Sequence, residues 1–128
     1  MPDWSIKIVK LDSGETAFVP DLQGAEPGDP LHVWQDDLVS WNNTTNKKHQ
    51  PWPTDSNYKP LPKSQVLPRG SANYMSDPIP PGESSTPAYD IPGPPEADPP
   101  LELWKIYYCC KQHPTEHGLI IATIVPTS

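Results

Sequence analysis

The placement of proline constrains this chain more than any other feature of its sequence. Of the 20 prolines among 128 residues, 14 lie between Pro51 and Pro100. Proline has a fixed φ and no backbone N–H to donate, so this region cannot be continuous sheet or helix. We expect an ordered, Pro-rich loop region at about residues 51–100, inserted in a single domain that spans residues 1–128.

The segments on either side of this region alternate between apolar and polar residues, as half-buried β-strands do. The predicted strands are Trp4 to Lys10, Thr16 to Val19, Leu31 to Trp34, Asp37 to Trp41, Leu101 to Cys110 and Gly118 to Val125. No segment shows a sustained helical period. The pattern predicts an all-β fold, a Greek-key antiparallel β-sandwich, in which distant loops meet at one end.

The charge of the chain limits its partners. A formal net charge of −7 argues against nucleic acid or an anionic membrane as a partner and favours a partner protein with a basic surface. No stretch approaches the length of a transmembrane helix, and Met1 to Trp4 lack the basic and apolar regions of a signal peptide. These features leave a cytoplasmic location open, and we expect a monomer.

Metal-binding residue types are concentrated near the end of the sequence. Cys109, Cys110, His113 and His117 lie within nine positions, between the last two predicted strands. Cys110 and His113 stand in a Cys-x-x-His spacing, which lets both side chains reach one ion across a turn. A thiolate with two imidazoles suits copper, because sulfur stabilises Cu(I) and nitrogen serves both Cu(I) and Cu(II). The second imidazole is expected from His49, which follows a predicted strand after a short polar loop.

These motifs resemble those of the cupredoxins, the small blue-copper proteins that include plastocyanin and amicyanin. The segment Val39-Ser40-Trp41-Asn42-Asn43 is similar to the Val-x-Trp-x-Asn strand ahead of the family's upstream histidine. Tyr108 to His113 resembles the family's Tyr-x-Cys-x-x-His loop, and Pro81-Gly82-Glu83 resembles its Pro-Gly-Glu turn. The resemblance runs from Leu31 to the C-terminus, apart from the Pro-rich insertion. It implies a Greek-key sandwich, one copper ion, electron transfer and export to the periplasm or the extracellular space.

The sequence departs from this family at the position of the axial methionine, which is Glu116. A carboxylate is a hard, anionic ligand that favours Cu(II), so Glu116 predicts a lowered reduction potential and an atypical site. His117 is an alternative fourth ligand. Strand alternation places Cys109 on the face opposite Cys110, where it either packs in the interior or supports the metal ligands. Gln50 and Trp52 follow His49 closely in the sequence and are expected to surround the ligands. Trp52 either covers the site or packs in the core.

Other interpretations of these residues stay open. The adjacent cysteines could form a strained disulfide, and the set Cys110, His113, His49 and Glu116 could instead hold zinc. An electron carrier rather than an enzyme is the leading prediction. The alternatives are a copper chaperone, store or sensor, a small copper redox enzyme with an open coordination position, and a metal-free interaction module that uses the Pro-rich surface.

Overall fold

The computed structural model describes residues 3–66, 73–86, 88–94, 98 and 101–124. Its strands are β1 (Asp3–Lys10), β2 (Thr16–Pro20), β3 (Leu31–Trp34), β4 (Leu38–Asn43), β5 (Pro51–Pro53), β6 (Tyr89–Asp90), β7 (Leu103–Cys110) and β8 (His113–Thr123). One helical turn, α1 (Lys63–Val66), lies between β5 and β6. Within these residues, no helix has the length and apolar character needed to cross a membrane.

The strands form two four-stranded sheets, in the orders β2-β1-β4-β6 and β3-β8-β7-β5. The predicted β-sandwich is confirmed, but its sheets are mixed rather than antiparallel. Strand β1 pairs parallel with β4, and β3 pairs parallel with β8. Hydrophobic alternation reports which face of a strand is buried and carries no information on strand direction, so the sequence could not reveal these parallel pairs.

The core lies between the two sheets and draws side chains from both. Trp41 on β4 packs edge-on against Tyr108 on β7, with ring centroids 5.4 Å apart. Phe18 on β2 meets the same tyrosine ring at 4.8 Å. Ile6 and Ile8 on β1 are buried in this cluster, as the alternation of β1 predicted. Cys110, at the end of β7, also belongs to this core, so one side of the predicted ligand motif is anchored in the buried interior.

The Pro-rich region is largely irregular where the structure describes it, as predicted. It contributes the short strand β5 at the edge of its sheet. One side of an edge strand has no neighbouring strand, so a proline without an N–H is tolerated there. It also contributes α1, a turn too short to produce a helical period in the sequence. Residues 67–72, 87, 95–97, 99 and 100 of this region lie outside the described part of the chain.

The last strand begins earlier than predicted. We expected a loop up to Gly118, but β8 starts at His113 and leaves a tight turn at Lys111 and Gln112. Cys110 pairs with His113 and Cys109 pairs with His117, so residues 114–116 are extra residues on β8 with no partner on β7. Such a bulge redirects side chains locally, and here it keeps residues 113–116 beside Cys110. Val125, the predicted end of the strand, lies outside the described residues.

Candidate metal centre

Four side chains from three parts of the sequence converge at one end of the sandwich. They belong to His49, Cys110, His113 and Glu116, and their candidate ligand atoms all lie within 4.8 Å of one another. The Cys110 Sγ atom lies 3.3 Å from His49 Nδ1 and 3.9 Å from His113 Nδ1. His113 Nδ1 lies 4.0 Å from Glu116 Oε2. The structure therefore brings together the four residues that the sequence predicted as ligands.

These separations suit a single ion. Ligands bound at about 2.0–2.3 Å, at angles near those of a tetrahedron or triangle, lie roughly 3.4–3.8 Å from each other. The distances from Cys110 Sγ to the two imidazoles, 3.3 and 3.9 Å, bracket this range. The donor set of one thiol, two imidazoles and one carboxylate combines the soft sulfur and the nitrogens that copper prefers.

Cys110 is held at the end of β7 by burial and by its backbone neighbours. The residue is fully buried, and this desolvation raises the pKa of its thiol. Backbone hydrogen bonds from Gln50, Gln112 and His113 oppose this rise because they stabilise the thiolate, whereas Glu116 adds to it. The pocket is therefore lined with donors for a thiolate, and a bound cation would complete its stabilisation.

His49 is fixed by the strand and loop that precede it. Its backbone exchanges hydrogen bonds with Ile79, with His49 N donating to Ile79 O at 3.2 Å and Ile79 N donating to His49 O at 2.7 Å. The amide of Asn43, at the end of β4, donates to Ile79 O and Lys47 O, and its oxygen accepts from Thr45. The sequence showed Asn43 within a motif but did not show that it shapes the loop that carries His49.

Glu116 is also held in place, by a contact that the sequence did not predict. The backbone N–H of Thr16, at the start of β2, donates to Glu116 Oε1 at 3.3 Å across 100 positions of sequence. The Glu116 side chain is 14% exposed, whereas that of His113 is 44% exposed. His113 is thus the ligand candidate that faces solvent, whereas His49, at 1%, and Cys110, at 0%, are buried.

The structure places the two adjacent cysteines in different clusters. Cys109 is buried with Trp52 and Val66 in a smaller cluster, whereas Cys110 belongs to the main core. Both cysteines are free thiols, so the vicinal disulfide is not formed. Burial is the main reason that the pKa of Cys109 rises to about 11. Cys109 is therefore a packing thiol.

Trp52 and His117 lie away from the four-residue cluster, and Gln50 adjoins it. Trp52 packs beside Cys109 and donates its indole N–H to Leu61 O at 2.8 Å, in agreement with its interpretation as a core residue. The His117 ring stacks on Tyr58 with centroids 4.1 Å apart, and the four-residue group does not include it. Gln50 is buried and donates its side-chain amide to Ser76 O at 3.0 Å, so it braces the strand end next to His49.

We expect the metal-free protein to lose stability as the pH falls below about 6.5. Burial lowers the pKa of His49 below its ordinary 6.5; Glu116 opposes this shift, while His113 and Lys47 add to it. Below pH 6.5, the unfolded chain binds a proton at His49, whereas the folded protein keeps this ring neutral. The free energy of unfolding therefore falls as the pH decreases from about 6.5 to the folded-state pKa of His49. Urea unfolding from about pH 5 to pH 8 measures the slope. His49→Gln should flatten it, and an unchanged slope in that variant would contradict the assignment.

The solved structures that are similar to this one include a purple cupredoxin and an amicyanin. The purple cupredoxin of Nitrosopumilus maritimus is 20% identical over 94% of this chain and 98% of its own, with a TM-score of 0.54. A variant of amicyanin, in its reduced Cu(I) form at pH 4, is 16% identical over 95% of this chain and 83% of its own, with a TM-score of 0.53. No protein-family model and no curated protein matches the sequence.

The similarity to these structures identifies the fold. The chain has the cupredoxin fold, as the ligand motifs predicted. The His-Cys-His-Glu cluster within this fold supports a site for one copper ion.

Proposed function

We propose that this protein carries electrons by means of one copper ion bound to His49, Cys110, His113 and Glu116. The observation that supports this most directly is the convergence of the four side chains to within 4.8 Å at the end of a rigid sandwich. Copper supplies the chemistry, because it accepts and releases one electron in such a ligand set. The protein supplies a geometry that changes little between the two oxidation states.

The residues around the site support that rigidity. Cys110 is anchored in the core, and His49 is tied to Ile79 by two backbone hydrogen bonds. The N–H of Lys111 donates to Gln50 O at 2.8 Å, which joins the turn after Cys110 to the strand end that carries His49. Ligands fixed in this way need little reorganisation when the charge on the ion changes, which favours fast electron exchange.

The exposure of His113 indicates where the electron enters and leaves. Its side chain is 44% exposed, whereas His49 and Cys110 are buried. A partner that docks at this end approaches the ion through the His113 ring. The net charge of −7 favours a partner with a basic surface. From the resemblance of the ligand motifs to the cupredoxins, we also propose that the protein acts in the periplasm or outside the cell, as a monomer.

The primary test is to load the purified protein with Cu(II) and to record metal stoichiometry, optical absorption and EPR. We expect one copper per chain, an intense sulfur-to-copper absorption band and reversible reduction at an electrode. A zinc site would take up the metal without colour, since zinc is d10 and has no redox chemistry. Failure to bind copper would overturn the proposal.

Replacing Glu116 with methionine is expected to raise the reduction potential. The carboxylate stabilises Cu(II) more than Cu(I) because it is anionic, and a neutral thioether removes this preference. Redox titration and the optical spectrum of Glu116→Met measure the change. Glu15→Gln is the matched control, because Glu15 lies at the same end of the molecule but outside the ligand cluster. An unchanged potential and spectrum in Glu116→Met would remove Glu116 from the coordination sphere.

A second candidate function, a small copper redox enzyme, is favoured by one observation. The ligand cluster is not closed off from solvent, since His49, His113 and Glu116 line a cavity of about 520 Å³. An electron carrier has no need of such a volume beside its ion, whereas an enzyme uses it to admit a small substrate. Catalytic turnover of a small oxidant or reductant by the copper-loaded protein would favour this function.

A further inference from the structure

The cavity beside the ligand cluster has a polar wall that the electron-carrier function does not use. Apart from the ligand candidates, the wall comes mainly from the ends of β1 and β2 with the turn between them, the loop before His49 and the turn after Cys110. These segments contribute Lys10, Glu15, Thr16, Thr45, Lys47 and Gln112. Among the described residues that line the cavity, no aliphatic or aromatic side chain appears apart from the two histidine rings. The side chains of the wall end in charged and hydrogen-bonding groups, so the cavity can bind a small polar ligand.

Two lysines, Lys10 and Lys47, line the cavity. Lys10 and Lys47 are both exposed, and neither forms an ion pair within the part of the chain that the structure describes. They stand out in a protein that has 9 basic against 16 acidic side chains.

The backbone around both lysines is fixed. Lys47 O accepts hydrogen bonds from Asn43 Nδ2 at 2.7 Å and from Thr45 Oγ1 at 3.0 Å. Lys10 ends β1, where it pairs with Thr16, the residue whose N–H holds Glu116. The buried Thr16 Oγ1 makes no hydrogen bond with any described residue, so one more polar group of the cavity wall is unsatisfied. A ligand that accepts hydrogen bonds would satisfy it.

Two carboxylates also line the cavity and must be counted. Glu116 is a proposed copper ligand, and its carboxylate accepts a hydrogen bond from the N–H of Thr16. Glu15 is exposed on the β1–β2 turn and opposes an anion. With Cu(II) and the Cys110 thiolate in place, the positive charges of the ion and the two lysines exceed the negative charges of the thiolate and the two carboxylates. The cavity of the oxidised protein therefore attracts an anion.

We propose that this cavity binds a small inorganic anion next to the copper ligands, with Lys10 and Lys47 as the residues that select it. The inference rests on the proposed copper site, since the ion contributes to the charge balance. In addition to copper, this end of the molecule then binds a second ligand, an anion, reversibly.

Azide is a suitable probe because it is small, anionic and visible in the spectrum when it reaches copper. The copper-loaded protein is titrated with sodium azide while optical and EPR spectra are recorded. The affinity is compared among wild type, Lys47→Gln, Lys10→Gln and the double variant. Lys48→Gln is the matched control, since Lys48 is exposed and adjacent but does not line the cavity. All four variants alter exposed side chains, and circular dichroism verifies their folding.

We expect each cavity variant to weaken azide binding by about two- to fivefold, the range for one exposed ion pair, and the double variant by about the product of the two. Lys48→Gln should bind azide like the wild type. Equal affinities in Lys47→Gln, Lys10→Gln and Lys48→Gln would overturn the proposal, as would the absence of azide binding by a protein that holds its copper.

A separate measurement distinguishes this proposal from the copper site on which it rests. Copper stoichiometry is determined before each titration, so a failure to bind copper is recognised as such. In that event, azide is added to the metal-free protein and amide NMR shifts are followed. Shifts at Thr16, Thr45 and Lys47 that disappear in the double lysine variant would support an anion site independent of metal. Their absence from the wild type would overturn it.

Discussion

Cys110→Ala is expected to abolish the sulfur-to-copper absorption band and to weaken copper binding by more than about a hundredfold. Loss of a residue that merely supports a ligand already costs 10–100-fold in metal affinity, so loss of the thiolate itself should cost at least as much. Cys110 Sγ lies close to both imidazoles, at 3.3 Å from His49 Nδ1 and 3.9 Å from His113 Nδ1. Copper titration monitored by absorption and EPR measures the loss.

The adjacent cysteine provides an unusually close control. Cys109→Ala changes the same side chain one position away, in the smaller cluster with Trp52 and Val66. We expect this variant to lose about 1 kcal/mol of stability, because it leaves a small cavity, and to keep the copper spectrum of the wild type. If Cys109→Ala rather than Cys110→Ala removed the absorption band, the assignment of the two thiols would be reversed.

Gly118→Ala should destabilise the fold by about 3 kcal/mol or more, at the upper end of the cost of overpacking a core. A Cβ atom at this position would lie 2.1 Å from Cζ of Tyr108 and 2.4 Å from its hydroxyl oxygen. The Tyr108 ring cannot move aside, because it is 1% exposed and wedged between Phe18 and Trp41. Relief of the clash would shift β8 against β7, the strands that carry His113, Glu116 and Cys110.

Urea unfolding of the metal-free protein measures this effect without interference from copper. Gly93→Ala is the matched control: within the described part of the chain, its Cβ would meet only the side-chain end of Gln35, at 3.0 Å, rather than a buried aromatic ring. We expect Gly93→Ala to change the stability by no more than about 0.5 kcal/mol. A loss below 1 kcal/mol in Gly118→Ala would show that the ring of Tyr108 is not fixed over this glycine.

The ligands could be predicted from the sequence because their chemistry is written in residue type and local spacing. Cys110 and His113 are three positions apart, and a turn after a strand brings such residues together whatever the rest of the fold does. The alternation of β7 likewise placed Cys109 and Cys110 on opposite faces, because successive side chains of a strand point in opposite directions. His49 was inferred from its place after a predicted strand and a polar loop, whereas Glu116 required more, namely the resemblance to the cupredoxin ligand loop.

Features that depend on contacts distant in sequence could not be predicted. The bulge at residues 114–116 arises from the pairing register of β7 with β8, and polar residues with a proline suggested a loop at that place. The parallel pairing of β1 with β4 and of β3 with β8 depends on how the chain crosses between sheets, which periodicity does not record. Trp52 flanks His49 in sequence, yet the strand pairing places it with Cys109.

By itself, the sequence determined the β-rich class of the fold, the irregular Pro-rich region and the four candidate ligands. Those features follow from the missing N–H of proline, from hydrophobic alternation and from the affinity of thiolate and imidazole for copper. The tertiary structure alone decided that Thr16 holds Glu116, that His113 faces solvent and that Lys10 and Lys47 flank a cavity beside the ligands. Each of these depends on segments up to 100 positions apart meeting at one end of the sandwich, and only the packed fold fixes such meetings.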